Sequence, residues 1–268
     1  MRITDAQIHL WENDKGPAHH RSGPYLVDDA LREMDAAGIE GAVNCPPGWD
    51  EGALDYAETA ARAYPDRIAT MGSVPIDGDR DPLLVDRELG RPGTVGLRFV
   101  WMWPQQCAAF AAGEMDWIFD AVASREAAIA LILPTTLLTE LGATARRFPA
   151  ARLLIDHLAV GPFSKVPEAM AHIDVLVELA AEPNIAIKAT GTPSMATDDF
   201  PFRSVHPFLK RLYDAYGADR MFWGTDITRM RISWRDCAAM FTDHLPWLSG
   251  EAQQKVMGEA LRTWIGWR

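Results

Sequence analysis

The chain has 268 residues, 48% hydrophobic and 24% charged, with a formal net charge of −11, an ordinary globular profile long enough for a sizeable core. Phosphate binding needs a basic stripe and none appears, so nucleic acid is excluded as a partner. No apolar run approaches the roughly 18 residues of a membrane span, and Met1–Asp5 lacks the apolar core of a signal peptide. Cys45, Cys107 and Cys237 are scattered without Cys-x-x-Cys spacing and read as reduced thiols, so a cytoplasmic protein is expected.

Asp5-Ala6-Gln7-Ile8-His9-Leu10-Trp11 closes the first expected strand, and alternation would put Asp5, Gln7 and His9 on one face. A long charged loop, 12–24, follows with His19, His20 and Arg21, whose imidazoles read as solvated. Val27, Leu31 and Met34 have helical spacing over 27–37, with Gly38 as its cap. Residues 41–44 form a short strand ended by Cys45-Pro46-Pro47-Gly48. The alternation continues with a helix over 51–63, a strand over 68–74 and a helix opened by Asp81-Pro82. A fourth strand, 95–100, carries Arg98 and leads into the loop Trp101-Met102-Trp103-Pro104. Helices over 115–125, 137–148, 166–181 and 206–216 then alternate with strands over 128–133, 152–157, 184–189 and 220–226. Helices near 234–241 and 251–265 close the chain.

Eight strands alternating with helices, several as continuous apolar runs, imply parallel strands buried on both faces. A doubly wound sheet would carry a Gly-rich phosphate loop after the first strand, and none is present. The pattern therefore predicts a (β/α)8 TIM barrel, a single domain over 1–268 without linker or repeat.

Barrel sites form at the C-terminal strand ends. Those ends hold Gln7 and His9 on the first strand, Arg98 on the fourth, His157 on the sixth, Lys188 on the seventh and Asp226 on the eighth. Histidine and aspartate are side chains of metal binding and proton transfer, and first and eighth strands adjoin in a closed barrel. His9, His157 and Asp226 are expected to share one site. Ten tryptophans are many for this length; Trp101 and Trp103 are expected to wall a flat, apolar pocket for a ring-shaped substrate, with Arg98 available for a carboxylate.

Asp5-Ala6-Gln7-Ile8-His9, Gly96-Leu97-Arg98, Leu154-Ile155-Asp156-His157, Asn184-Ile185-Ala186-Ile187-Lys188-Ala189-Thr190-Gly191 and Gly224-Thr225-Asp226 stand in the order of the motifs of one family. Together they resemble the amidohydrolase superfamily, and its lactonase-like branch in particular, over nearly the whole chain. The resemblance implies a hydrolase that opens a lactone or related cyclic ester with water. Asp226 would be the general base, and His9 and His157 would bind a metal or polarise the carbonyl. Gln7, Arg98, Lys188 and Arg229 would be candidates for substrate contact. The departure is Gln7, which stands where the family has its first metal histidine. A neutral amide is a poor zinc ligand, so both no cofactor and a weakly held divalent metal, zinc foremost, on His9, His157 and Asp226 stay open. The resemblance also admits a decarboxylase or dehydratase, and a decayed barrel that only binds. The expected partner is a small molecule; homo-oligomerisation is left open.

Overall fold

The computed structural model describes residues 1–78 and 80–268. Its strands are β1 (Thr4–Ile8), β2 (Gly41–Asn44), β3 (Ile68–Gly72), β4 (Thr94–Val100), β5 (Ala128–Ile132), β6 (Arg152–Ile155), β7 (Ile185–Thr190) and β8 (Met221–Gly224). Each pairs in parallel with the next in chain order, so every connection is a crossover through a helix.

The seam between β8 and β1 is closed by other means than a regular ladder. Asp226 N donates to Gln7 O at 2.9 Å, and Thr225 N and Oγ1 donate to the Asp5 carboxylate at 2.9 and 2.5 Å. Gly224 is required there: an added Cβ would lie 2.6 Å from Thr190 Cγ2 and 2.9 Å from both Ala6 N and Asp5 Oδ1. The result is an eight-stranded (β/α)8 barrel, as the alternation predicts.

Alternation within strands sorts side chains into two apolar layers. Leu153 and Ile155 of β6, with Ile185 and Ile187 of β7, pack outward against helices. Leu154 and Ala186 belong to an inner cluster with Ala6, Val43, Met71, Ala130 and Phe222. Lys188 shares the parity of Ala186, and so points into the barrel. On β1 the rule slips, because Ala6 is inner while Ile8, two residues on, is outer. The register shift between Asp5 and Ile8 is the cause. Asp5 therefore does not share a face with Gln7 and His9, contrary to the alternation; its carboxylate turns to the seam and to Trp234 Nε1 at 2.7 Å.

The helices α1 (Val27–Ala37), α2 (Ala53–Ala63), α3 (Pro82–Leu89), α5 (Asp116–Ala123), α6 (Leu138–Arg147), α8 (His206–Tyr216) and α9 (Trp234–Asp243) fall where expected. A helix the sequence reading missed, α4 (Pro104–Ala111), starts from the proline of the Trp-rich segment. The expected helix over 166–181 shortens to α7 (Ile173–Leu179), preceded by a separate turn at Glu168–Met170. The last helix is broken into α10 (Gly250–Gln254), a wide turn at Lys255–Glu259 and α11 (Ala260–Ile265). The break lies at Gly258, whose added Cβ would sit 2.7 Å from Thr4 N and 2.8 Å from Arg2 O.

Candidate active site

At the C-terminal ends of the strands the polar side chains converge. His9 follows β1, while His157 (φ 52°) and Asp226 (φ 53°) sit just beyond β6 and β8 in the left-handed region. Non-glycine residues reach that region at a cost, and such positions cluster at functional sites. Gln7, His9, His157, Lys188 and Asp226 are all buried.

The hydrogen bonds fix the orientation of Gln7. Lys188 Nζ lies 2.6 Å from Gln7 Oε1, and an ammonium can only donate, so that atom is the amide oxygen. The amide nitrogen consequently faces two imidazoles, 3.0 Å from His157 Nε2 and 3.5 Å from His9 Nε2. Because the amide donates to His157 Nε2, the His157 ring proton sits on Nδ1 and is given to Thr190 Oγ1 at 2.8 Å. His9 Nδ1 donates to the Cys45 carbonyl at 2.5 Å, which leaves Nε2 facing Asp226 Oδ1 at 3.3 Å. Arg229 Nη1 donates to Asp226 Oδ2 at 3.0 Å, and His157 Nε2 stands 3.8 Å from that oxygen.

Beneath this layer Lys188 Nζ pairs with Asp156 Oδ1 at 2.8 Å, and Arg98 Nε donates to Asp156 Oδ2 at 2.7 Å. Burial raises the Asp156 carboxyl, but Lys188 and Arg98 outweigh it and hold the group below the usual range. Burial likewise raises Asp226, yet His9 and Arg229 keep it well below an ordinary carboxylate. His157 is lowered to about 4, burial outweighing the pull of Asp226 and Asp156. At neutral pH Asp226 is thus ionised and His157 neutral.

A cavity of about 700 Å³ opens beside this cluster, within the range of small-molecule sites. Arg229 and Thr228 line it, as do His19 and His20. His20 is not the solvated imidazole the sequence suggests. Its Nδ1 lies 2.8 Å from Thr228 Oγ1, and its ring is edge-on to His9 with centroids 5.3 Å apart. Burial, then the neighbouring His9, lowers it to about 3. A His-His pair in an overlong loop after the first strand was the only sequence signal for it.

The expected wall of tryptophans is a correction. Trp101 is buried among Phe99, Phe110 and Phe119, with ring centroids 5.2, 5.3 and 5.9 Å away. Trp103 is 70% exposed, and neither residue lines the cavity. Proline-initiated α4 draws the segment outward, so Trp101 becomes core. Arg98 clamps Asp156 and, like Gln7, His9, His157, Lys188 and Asp226, is not among the residues lining the cavity. Lys188 holds Gln7 and Asp156.

A model of the family described as amidohydrolase matches residues 4–265. The chain belongs to the amidohydrolase family. One relative, the L-fucono-1,5-lactonase of Burkholderia ambifaria, is 31% identical over 142 residues, half of this chain and 47% of that protein's length. A zinc-bound amidohydrolase of Burkholderia multivorans superposes with a TM-score of 0.83 at 18% identity, covering 100% of both chains. A 2-pyrone-4,6-dicarboxylic acid hydrolase candidate of Pseudomonas putida superposes at 0.80 with 16% identity, covering 100% of this chain and 98% of that one.

The zinc of that neighbour invites a test of fit in this amidohydrolase. A cation between His9 and His157 would need both Nε2 lone pairs. The Gln7 amide nitrogen already points at them and cannot turn its oxygen inward while Lys188 holds it. Among the described residues, no group of three His, Cys, Asp or Glu is disposed to hold a metal ion. The donor set does not fit zinc.

Proposed function

We propose that this amidohydrolase opens a lactone or related cyclic ester with water activated by Asp226, without a tightly held metal. The observation that carries the reading is an ionised, buried carboxylate held between His9 and Arg229, the latter lining a cavity of about 700 Å³. The 31% identity to a lactonase over half the chain supports the substrate class, and the fit of the Gln7 amide against both imidazoles supports the absence of metal.

In this reading Asp226 takes a proton from water as its oxygen attacks the lactone carbonyl. The charge developing on the carbonyl oxygen is met by the Arg229 guanidinium, a positioned cationic donor that lines the cavity. Collapse of the tetrahedral intermediate breaks the ring C–O bond, and the proton held by Asp226 passes to the leaving ring oxygen. Water and lactone thus give one hydroxy acid. His157 acts by holding the Gln7 amide in place and keeping a neutral ring beside Asp226. The test is product analysis on a panel of five- and six-membered lactones with chelator-treated protein. Hydroxy acid formation is expected; carbon dioxide release from aromatic acids, or binding without turnover, would replace this reading with decarboxylation or a binding role.

A further inference from the structure

The charge of the substrate is written in the cavity wall. Of the fifteen residues lining the cavity, four are Lys or Arg and none is Asp or Glu, in a chain of net charge −11. Two of these cations are already matched. Arg21 makes a two-pronged pair with Glu33 at 2.6 and 2.8 Å, and Arg229 is held by Asp226 at 3.0 Å. Among the described residues the other two have no carboxylate partner. Lys165 Nζ donates to the carbonyls of Ser194 and Ala196, both at 2.9 Å, which fixes the ammonium at the rim while leaving its charge uncompensated. Arg231 has no acid partner among the described residues.

We infer that the cavity takes a lactone bearing a carboxylate, and that Lys165 and Arg231 read that carboxylate while the ester faces Asp226. A neutral polyhydroxylated ring would call for carboxylate acceptors in the wall, and the wall supplies cationic donors in their place. Phe163, Phe202 and Met230 give the ring body an apolar surface. A concave site of one sign also concentrates an oppositely charged ligand. The assignment rests on the lactonase reading for the position of the ester, and its test is kept separate from turnover.

Two ring ethers that have no ring ester to open, tetrahydropyran-2-carboxylate and its primary amide, are titrated calorimetrically into the intact protein. The carboxylate is expected to bind at least about tenfold tighter than the amide, with that margin shrinking as salt rises. In Lys165→Gln and Arg231→Gln the margin should fall, each by about 5-fold or more, and Lys165→Arg should restore it by returning the charge. Equal binding of both ethers by the wild type overturns the inference, even if neutral lactones are turned over. A margin untouched by either glutamine variant overturns the assignment to these two residues. Preferential carboxylate binding in a protein that opens no lactone supports the anion site and sinks the lactonase reading alone.

Discussion

At the scale of single residues, Asp226 and Gln7 carry the argument. Asp226→Asn keeps the volume and can still accept from Arg229, but cannot take a proton from water. It should lower lactone turnover by about 10²–10⁴-fold with a melting temperature near that of the wild type. A variant that melts far lower yet turns over normally when folded would make Asp226 a structural partner of Arg229 instead. Gln7→His tests the metal reading from the other side. Imidazole in place of the amide removes the N–H from between His9 and His157 and adds a ligand nitrogen, so zinc affinity should rise by at least about tenfold in equilibrium dialysis. Lys188 keeps its Asp156 partner in that variant, which limits the cost of the change. Equal zinc binding by both forms would show that something other than the amide excludes the metal.

At the scale of elements, the barrel was legible because its strands obey one rule, apolar on both faces and closed by turn residues. The departures come from contacts that no local pattern encodes. The bulge in β1 follows from closing the seam, where the Asp5 carboxylate accepts from Gln7 N, both Thr225 donors and Trp234. It removes Asp5 from the face of Gln7 and His9. Arg98 reads as a substrate contact because it stands at a strand end, but Asp156, one residue beyond the last residue of β6, claims it. Trp101 reads as a pocket wall because its partners, Phe110 and Phe119, lie on two later helices. The two histidines and the aspartate were legible because they stand at the C-terminal strand ends, although the left-handed turns that aim His157 and Asp226 were not. The seam itself yields a prediction. In Gly224→Ala the new methyl meets Ala6 N and Asp5 Oδ1, both at 2.9 Å, and neither can move without opening the barrel. A loss of about 1–3 kcal/mol is expected in urea denaturation. An unchanged midpoint would mean that β8 and β1 can separate without penalty.

For the whole molecule, buried titratable groups tie stability to pH with opposing signs. His157 is lowered from 6.5 to about 4 in the folded state, burial being the main cause. Between those values the unfolded chain takes a proton that the native state refuses. This contribution is therefore complete above about pH 6.5 and is lost as pH falls towards 4. At about 1.4 kcal/mol per unit, it amounts to about 3–4 kcal/mol at the acid end. Asp5 works the other way. Burial raises it from 3.8 to about 6, against the pull of its Thr225, Gln7 and Trp234 donors. The native state then binds its proton first, so stability is gained as pH falls from about 6 through 3.8. Asp226, held well below the ordinary range by His9 and Arg229, stays charged throughout this window. Asp5 therefore opposes His157 and also His20, which is itself lowered to about 3, and single variants should separate the signs. His157→Asn removes one of the losses, so its melting temperature should fall less towards acid than that of the wild type. Asp5→Asn removes the gain, and its melting temperature should fall more steeply than that of the wild type. Melting curves for the three proteins at intervals from about pH 4.5 to about pH 7 check both signs at once. Three parallel profiles would mean that neither group changes its proton affinity on folding, and the opposition would have to be assigned elsewhere.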